Sequence, residues 1–281
     1  MPPLTYVDLF CGIGSFHQSF KQKGWECVLA CDIDESTHSV YRANHGMTPR
    51  RDIYDIRDDE IPEHDVLCAG FPCQAFSRVG KNLGFEDNRG VLFLEVIRFA
   101  RARRPKILAL ENVRGILSHD EGRTFATIVE LLEAEGYTVH HKLLTASDYG
   151  IPQMRKRVIF LCVRNDVQHE FTGDAILDFS AYMNPNVCMK DYLGRNYEKK
   201  YAYTIRCGGR RSPIESRKNW EAYWVDGQVH RLTLDEVKKL QGFPDEFQLS
   251  EKPAKAWHHL GNTIPTVFTK LLAERISEVL A

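Results

Sequence analysis

Short apolar runs alternate with longer amphipathic segments through the first 165 residues of the chain. The runs have the length of strands and are followed by glycine or acidic residues, whereas the longer segments carry apolar residues at helical spacing. We interpret these runs as strands: 6–10, 27–31, 65–69, 106–110, 139–144 and 158–163. Strands and helices that alternate in this way predict an α/β fold, with a doubly wound, mostly parallel, Rossmann-like sheet.

The periodic pattern stops beyond residue 165, in a stretch rich in Asn, Tyr, Gly and Arg. Helical spacing returns after Leu232, where Thr233 and Glu236 have the spacing of an N-terminal capping box. A last amphipathic helix is predicted at 266–280. We therefore predict two domains: a larger domain of residues 1–165 and 255–281, and a smaller domain of residues 166–254.

Charge is distributed unevenly between these regions. Residues 195–218 contain eight basic and two acidic side chains, which leaves a net charge of +6 there and −7 in the remainder of a chain whose total is −1. The total says nothing for or against nucleic acid. A basic lobe on an acidic protein favours a polyanion bound on one face.

The eight cysteines form no CxxC pair, and no His-rich region accompanies them. This argues against a disulfide framework and against a structural metal site, and it favours a reducing compartment. The N-terminus lacks a basic region followed by a long apolar run, and no apolar segment approaches eighteen residues. We expect a cytoplasmic protein without a membrane span.

A glycine turn follows the first predicted strand. Gly12 and Gly14 lie in this turn, and Asp32 follows the second strand about 20 positions later. Such a turn lets the backbone approach an adenosyl group, while the carboxylate takes the ribose hydroxyls. The turn is not a GxGxxG motif and has no basic residue placed for a phosphate. S-adenosylmethionine therefore suits it better than NAD.

Cys73 follows the strand at 65–69 through Gly70, Phe71 and Pro72. The carboxyl ends of strands are where folds of this class bind ligands. Pro72 fixes a backbone angle just before the thiol. An isolated cysteine is more often a small core residue, but the flanking residues and the polar partners downstream favour a reactive thiol.

Further polar residues are predicted at the same edge of the sheet. Glu111 follows the strand at 106–110, and Arg155 and Arg157 share one face of an extended segment because side chains alternate along it. Residues 77–90 contain three glycines and several charges, and long loops within compact domains are usually functional.

Six motifs occur in a characteristic order. They are Asp8-Leu9-Phe10-Cys11-Gly12-Ile13-Gly14, Gly70-Phe71-Pro72-Cys73-Gln74, Glu111-Asn112-Val113, Gln153-Met154-Arg155-Lys156-Arg157, Arg231-Leu232-Thr233 with Leu240-Gln241-Gly242-Phe243-Pro244, and Gly261-Asn262. In these motifs the sequence resembles DNA cytosine-5 methyltransferases of the small bacterial or phage modification type. It departs from the family pattern at Ser15, Arg51 and Thr263-Ile264, and its recognition region is short for the family.

The resemblance implies a sequence-specific DNA methyltransferase and assigns four catalytic residues. Cys73 would add to carbon 6 of cytosine, which activates carbon 5. Glu111 would hold N3 and the amino group, which requires a raised pKa. Arg155 would bind the O2 edge and orient Glu111, and Arg157 would support it or contact phosphate. The base that removes the C5 proton is not identified.

The resemblance also implies S-adenosyl-L-methionine as cofactor. Phe10 would stack on the adenine, Asp32 would hold the ribose, and Asp52 would take the exocyclic amine. Ile33 and Ile53 would sandwich the base. The full set of cofactor residues is Phe10, Gly12, Gly14, Asp32, Ile33, Asp52, Ile53, Pro72, Leu92 and Asn262, of which Leu92 and Asn262 would line the methionine end.

The expected partner is double-stranded DNA, with the target cytosine flipped out of the base stack. The loop at 77–90 would close over it, and arginine would read guanine. The DNA-contacting candidates are Gln74, Ser77, Arg78, Arg89, Thr204, Arg206, Gly208, Gly209, Arg210 and Arg211. We expect a monomer, with a restriction endonuclease as a separate partner where one exists.

Two other functions remain open at this stage. A transfer-RNA cytosine-5 methyltransferase would share this architecture, and methyl incorporation into duplex DNA and transfer RNA would separate the two. A catalytically inactive, DNA-binding regulatory subunit would have no need to retain Cys73, Glu111 and Arg155 together.

Overall fold

The computed structural model describes residues 2–72 and 92–281, and within these ranges its centre is a six-stranded sheet. The strands are β1 (Thr5–Leu9), β2 (Glu26–Cys31), β3 (Val66–Gly70), β4 (Ile107–Val113), β5 (Tyr137–Thr145) and β6 (Lys156–Arg164). Their order is β2-β1-β3-β4-β6-β5, and β6 is the one strand of this sheet that runs antiparallel to the other five. The predicted α/β class and mostly parallel sheet are confirmed.

The sheet is covered on both faces, as a parallel sheet of near-continuous apolar strands requires. In β3, for example, Leu67 and Ala69 join one buried cluster with α3 and α4, whereas Val66 and Cys68 join a second cluster with α1 and α8. The helices are α1 (Ser15–Phe20), α2 (Glu35–His45), α3 (Leu92–Arg103), α4 (Arg123–Ala134), α5 (Met189–Leu193), α6 (Leu234–Leu240), α7 (Pro253–Asn262) and α8 (Thr266–Val279). None of these helices is long and apolar enough to span a membrane, a finding that concerns only the parts of the chain the structure describes.

The position of β1 determines where a ligand can bind. The chain passes from β1 to β2 on one side and returns to β3 on the other, so the strand order reverses between β1 and β3. In open α/β sheets, ligands bind beyond the carboxyl ends of the strands at such a reversal. The motifs ending in Gly14 and beginning at Gly70 both follow strands at this point.

A third apolar cluster forms a second lobe, which we define as residues 189–249. It includes the hairpin of β7 (Ala222–Val225) and β8 (Gln228–Arg231), and Thr233 and Glu236 make the predicted capping box of α6. Trp257 of α7 and Val40 of α2 also belong to this cluster, so the lobe packs directly on the rest of the protein.

The second lobe begins later than the predicted boundary at residue 166. Ile176, Leu177 and Phe179 pack in the cluster that contains α8, and Arg275 of α8 donates hydrogen bonds to the carbonyl oxygens of Ala175 and Asp178. This packing favours a boundary shortly before residue 189. The division into two domains remains a prediction.

Candidate active site

A cleft of about 610 Å³ lies at the carboxyl ends of β1, β2, β3 and β4, where the fold predicts a ligand site. Twelve of the predicted site residues line it: Phe10, Gly12, Asp32, Ile33, Asp52, Ile53, Pro72, Leu92, Glu111, Arg155, Arg157 and Asn262. These residues are spread over 250 positions in the sequence and meet because parallel strands end at one edge. The cleft therefore joins the predicted cofactor and catalytic residues.

Asp32 and the glycine turn form one end of the cleft. The Oδ2 atom of Asp32 accepts a hydrogen bond of 2.7 Å from the backbone N–H of Gly12, and its Oδ1 atom accepts one of 2.8 Å from Asp34. Burial raises the pKa of Asp32, and these two donors oppose the shift. Phe10 and Gly12 both have a φ of 55°, a left-handed conformation that costs little only at glycine. The carboxylate of Asp32 thus stabilises the conformation of the turn through its hydrogen bond with Gly12.

Gly14, which is expected to contact the cofactor, does not line the cleft. Its φ is 87°, and a Cβ atom there would lie 2.3 Å from Nε2 of His45 and 2.9 Å from Tyr41. The glycine is required by the packing of α1 against α2. Gly14 therefore shapes the turn and Gly12 faces the cleft, and a cofactor contact by Gly14 remains a prediction.

Asp52 and two isoleucines form the neighbouring wall. Asp52 caps a short 3-10 turn, where its Oδ1 atom accepts a hydrogen bond of 3.0 Å from the N–H of Tyr54. Ile53 is buried beneath this turn, and Ile33 is 69% exposed at the rim. An apolar surface between a buried and an exposed isoleucine is suited to a planar aromatic ring.

Glu111 and Arg157 form an ion pair at the opposite end of the cleft. Glu111 pairs with Ile159 across β4 and β6, so Arg157 is its diagonal neighbour on the same face. The Nε atom of Arg157 lies 2.5 Å from Oε1 of Glu111, and both side chains are nearly buried. Burial raises the pKa of Glu111, as predicted, although Arg157 and Arg155 oppose the shift.

Arg155 lines the cleft and binds three backbone carbonyl oxygens. Its Nη1 atom donates to the carbonyl of Ile205 at 2.6 Å, and its Nη2 atom donates to Gly261 at 3.1 Å and Thr263 at 2.9 Å. The side chain is 1% exposed, and burial lowers the pKa of Arg155 to about 9. Both Nη atoms therefore bind backbone carbonyls, whereas the buried Nε atom has no hydrogen-bond partner among the described residues. Arg157 makes the direct contact with Glu111, and the roles predicted for Arg155 remain predictions.

Asn112 is a contributor that the sequence interpretation did not single out. Its Nδ2 atom donates to the carbonyl oxygen of Phe71 at 2.9 Å, which ties the end of β4 to the segment leaving β3. Gly70 pairs with Glu111 in the sheet, and a Cβ atom on Gly70 would lie 3.5 Å from the Glu111 carboxylate. The chain therefore leaves β3 beside this carboxylate. Its position next to Glu111 at the end of a strand is the sequence feature that could have identified Asn112 as a site residue.

The predicted nucleophile lies outside the described residues. Cys73 directly follows Pro72, the last residue described before the gap, and Pro72 lines the cleft. Four DNA-contacting candidates, Gln74, Ser77, Arg78 and Arg89, also fall outside the described ranges.

The remaining DNA-contacting candidates lie in the segment 204–211. Some of their side chains bind other parts of the protein, and others do not. Nε of Arg210 lies 3.1 Å from Oε2 of Glu221, and its guanidinium lies 3.8 Å from the ring centre of Trp257. Arg210 is thus held by Glu221 and Trp257 at the surface, and its predicted contact with bases remains a prediction. The guanidinium of Arg211 makes no ion pair or hydrogen bond with any residue in the described ranges.

Four further candidates in this segment stabilise its conformation. Thr204 donates its hydroxyl to the carbonyl of Met154 at 3.0 Å, and Arg206 donates to the carbonyl of Lys218 at 2.6 Å. Gly209 has a φ of 83°, and Gly208 accepts a hydrogen bond of 2.7 Å from the indole of Trp220. These contacts give the segment a defined shape.

The family model for C-5 cytosine-specific DNA methylases matches residues 4–207 and 189–278. The chain belongs to this family. It is accordingly an enzyme that methylates cytosine at carbon 5 in DNA.

Relatives of this methylase come from restriction-modification systems. It is 32% identical to the type II methyltransferase M.HhaI of Haemophilus parahaemolyticus, over 99% of this chain and 95% of the relative. It is 34% identical to M.MspI of Moraxella sp, over 97% of this chain and 70% of the relative. These matches cover both the sheet and the second lobe.

Solved structures share the fold of the methylase. The Dnmt2 methyltransferase of S. pombe matches with a TM-score of 0.75 and 19% identity, over 99% of this chain and 98% of that one. The Entamoeba histolytica methyltransferase EhMeth matches with a TM-score of 0.70 and 18% identity, over the full length of both chains. At this identity the likeness concerns the fold alone.

Proposed function

We propose that the protein is a sequence-specific DNA methyltransferase that uses S-adenosyl-L-methionine and acts on a cytosine flipped out of the duplex, through a covalent adduct with Cys73. The observation that carries the proposal is the single cleft lined by Asp32, Glu111 and Pro72. In this cleft Asp32 could bind a nucleoside, Glu111 provides a buried carboxyl group, and Pro72 directly precedes Cys73.

The residues of the cleft fit the cofactor. Gly12 presents its backbone with nothing within 4 Å of the position a Cβ atom would take, which leaves room for close approach. Asp32 would hold the ribose hydroxyls, while Ile33 and Ile53 would flank the adenine and Asn262 would face the methionine end. The cofactor supplies an electrophilic methyl group on a sulfonium.

The buried ion pair suits the recognition of a cytosine ring. With its raised pKa, Glu111 keeps a proton to higher pH than an exposed glutamate and can donate it to N3 of the base. Arg157, which contacts Glu111, has the donors to bind the O2 edge. We assign this role to Arg157 because it contacts Glu111 directly, and Arg155, which lines the same cleft, stays a second candidate for it.

Cys73 would act as the nucleophile. Its sulfur adds to carbon 6 of the ring, which makes carbon 5 nucleophilic, and it leaves when the C5 proton is removed after methylation. The reactive form is the thiolate, and an unperturbed cysteine with a pKa of about 8.5 is mostly protonated at neutral pH. The site must therefore favour the anion.

DNA would bind across the mouth of the cleft against the basic segment of the second lobe. The target atom lies inside a base stack, so the nucleotide must rotate out of the helix. We propose that Thr204, Arg206 and Arg211 contact the duplex, with Arg211 as the base-reading arginine. One chain contains all these groups, so we propose that a monomer is active, in the bacterial cytoplasm, and that any restriction endonuclease acts separately.

Bisulfite sequencing of DNA from cells that express the chain tests this proposal. We expect protected cytosines within one short sequence motif, and none in cells that express Cys73→Ser. Unprotected DNA from cells that contain the folded wild-type protein would contradict the proposal, as would methylation confined to transfer RNA. The same experiment yields the recognition sequence.

A further inference from the structure

The DNA-reading segment 204–211 contacts the cofactor cleft through one side chain. Cys207 lies at the centre of this segment, and its Sγ atom lies 2.6 Å from Oδ1 of Asn262. Asn262 is the last residue of α7 and lines the cleft, whereas Cys207 does not. This contact therefore connects a segment that faces DNA with a residue that faces the cofactor.

The backbones of the two segments meet at this point. A Cβ atom on Gly261 would lie 2.5 Å from the backbone nitrogen of Cys207 and 2.6 Å from the carbonyl carbon of Arg206. Only glycine permits this approach. Arg155 binds both segments, because it donates hydrogen bonds to the carbonyl of Ile205 in one and to that of Gly261 in the other. The backbones of the two segments are thus in direct contact and share one hydrogen-bonding partner.

Hydrogen bonds determine the orientation of the Asn262 carboxamide. Its Nδ2 atom lies 3.0 Å from Nε2 of His258, one turn earlier on α7, and its Oδ1 atom faces the thiol of Cys207. The carboxamide nitrogen carries two N–H groups, so one remains for a ligand when His258 accepts the other. Burial raises the pKa of Cys207, which keeps the thiol protonated as a donor.

We propose that Cys207 is a positioning residue that couples DNA recognition to cofactor binding by holding the carboxamide of Asn262. The inference rests on the proposed roles of Asn262 and of the segment 204–211. Duplex bound to the segment alters the position of Cys207, and the hydrogen bond passes the change to Asn262. Coupling of this kind is reciprocal, so the cofactor also changes the affinity for duplex.

The test measures how duplex changes the affinity for S-adenosylhomocysteine, by titration calorimetry. The duplex carries the recognition sequence found by bisulfite mapping. The measured quantity is the coupling ratio, which is the Kd without duplex divided by the Kd with duplex. We expect a ratio between about 5 and 150 for the wild type, the usual range for coupled sites.

Two variants of Cys207 separate positioning from packing. Cys207→Ala removes the donor, and the ratio should fall to about 1 while the Kd for duplex alone stays within about twofold. Cys207→Ser retains a donor and should restore the coupling. Cys188→Ala is the matched control, because that thiol also lies in the region beyond residue 165 but donates to Asp191 at 2.9 Å.

The outcomes separate this inference from the proposed function. A wild-type ratio of about 1 with both ligands bound would overturn the coupling and leave the methyltransferase proposal intact, as would an unchanged ratio in Cys207→Ala. Failure of Cys207→Ser to restore the ratio would also overturn the role of the donor. Failure of the folded wild type to bind S-adenosylhomocysteine would overturn the proposed function together with this inference.

Discussion

The cofactor end of the cleft and the DNA-facing segment of the second lobe are held by different forces. At the cofactor end, consecutive strands of one sheet end side by side, and Asp32 accepts two backbone hydrogen bonds. In the second lobe, segment 204–211 folds back onto Glu221, whose side chain is 1% exposed. The cofactor end of the cleft is thus stabilised mainly by backbone structure, whereas the segment 204–211 is stabilised by the buried charge of Glu221.

Glu221 is the central residue of the second region. Its carboxylate pairs with Arg210 at 3.1 Å and Arg231 at 2.9 Å, and it accepts a hydrogen bond from the backbone N–H of Arg211. A buried charge is tolerated only when it is paired and hydrogen-bonded. The difference teaches that loss of one side chain should disrupt the second region as a unit, whereas single changes in the cleft should remove single functions.

The largest effect is expected at the catalytic end of the cleft. Glu111→Gln retains the shape of the side chain but loses the acid, and a general acid contributes about 10²- to 10⁴-fold to a rate. We expect a loss of that size in methyl transfer measured with tritiated cofactor. Affinity for S-adenosylhomocysteine should stay within about twofold, because Asp32 is unchanged.

The pH dependence of the methyl-transfer rate should report the titration of Glu111. The raised pKa of Glu111 means that its proton is lost as pH rises through that value, so the acid-dependent step should slow on the alkaline side. This alkaline decrease should be absent from the residual activity of Glu111→Gln. Glu135→Gln is a suitable control, since that carboxylate pairs with Arg101 away from the cleft. Equal losses in both variants would contradict the assignment.

An intermediate effect is expected from Glu221→Gln. The substitution removes the buried counter-charge of Arg210 and Arg231, whose own side chains are 34% and 40% exposed, and a hydrogen bond to a charged group is worth about 1.5–3 kcal/mol. Hydrogen exchange should accelerate in residues 208–231, and affinity for the cognate duplex should fall by about 10- to 100-fold. Cofactor affinity should be retained. A loss of cofactor binding as large as that of duplex binding would contradict the proposed independence of the two regions.

The smallest effect is expected from Arg211→Ala. One arginine contact to a base is worth about 1–3 kcal/mol of discrimination, so the preference for cognate over scrambled duplex should fall by about tenfold. The melting temperature should not change. Arg210→Ala is the comparison, since removal of a partner of Glu221 should lower the melting temperature. The opposite pattern would show that the two arginines have been assigned in reverse.

The sequence predicted the sheet well because strands carry local patterns. All six strands fall within a few residues of their predicted positions, and Glu111 was placed at the correct edge because it directly follows a buried run. The hairpin of β7 and β8 was missed, although Asp226 and Gly227 form its turn with positive φ angles and an Asp-Gly pair is a strong hairpin signal.

The roles of the arginines could not be read from the sequence. Alternation placed Arg155 and Arg157 on one face, but β6 begins only at Lys156. Arg155 is drawn to the carbonyls of Ile205 and Gly261, which are 50 and 106 residues away in the sequence. Arg210 is likewise fixed by Glu221. Such contacts depend on tertiary packing, which no local pattern records.

Covalent trapping is the most direct test of the central claim. The duplex would carry 5-fluorocytosine at the mapped target, because fluorine at carbon 5 cannot be removed as the proton is, and the adduct therefore persists. With S-adenosyl-L-methionine present, we predict a denaturation-resistant protein–DNA complex whose cross-linked peptide contains Cys73, and no complex with Cys73→Ser. An adduct at another cysteine, or methyl transfer to ordinary duplex without any trapped complex, would contradict the account.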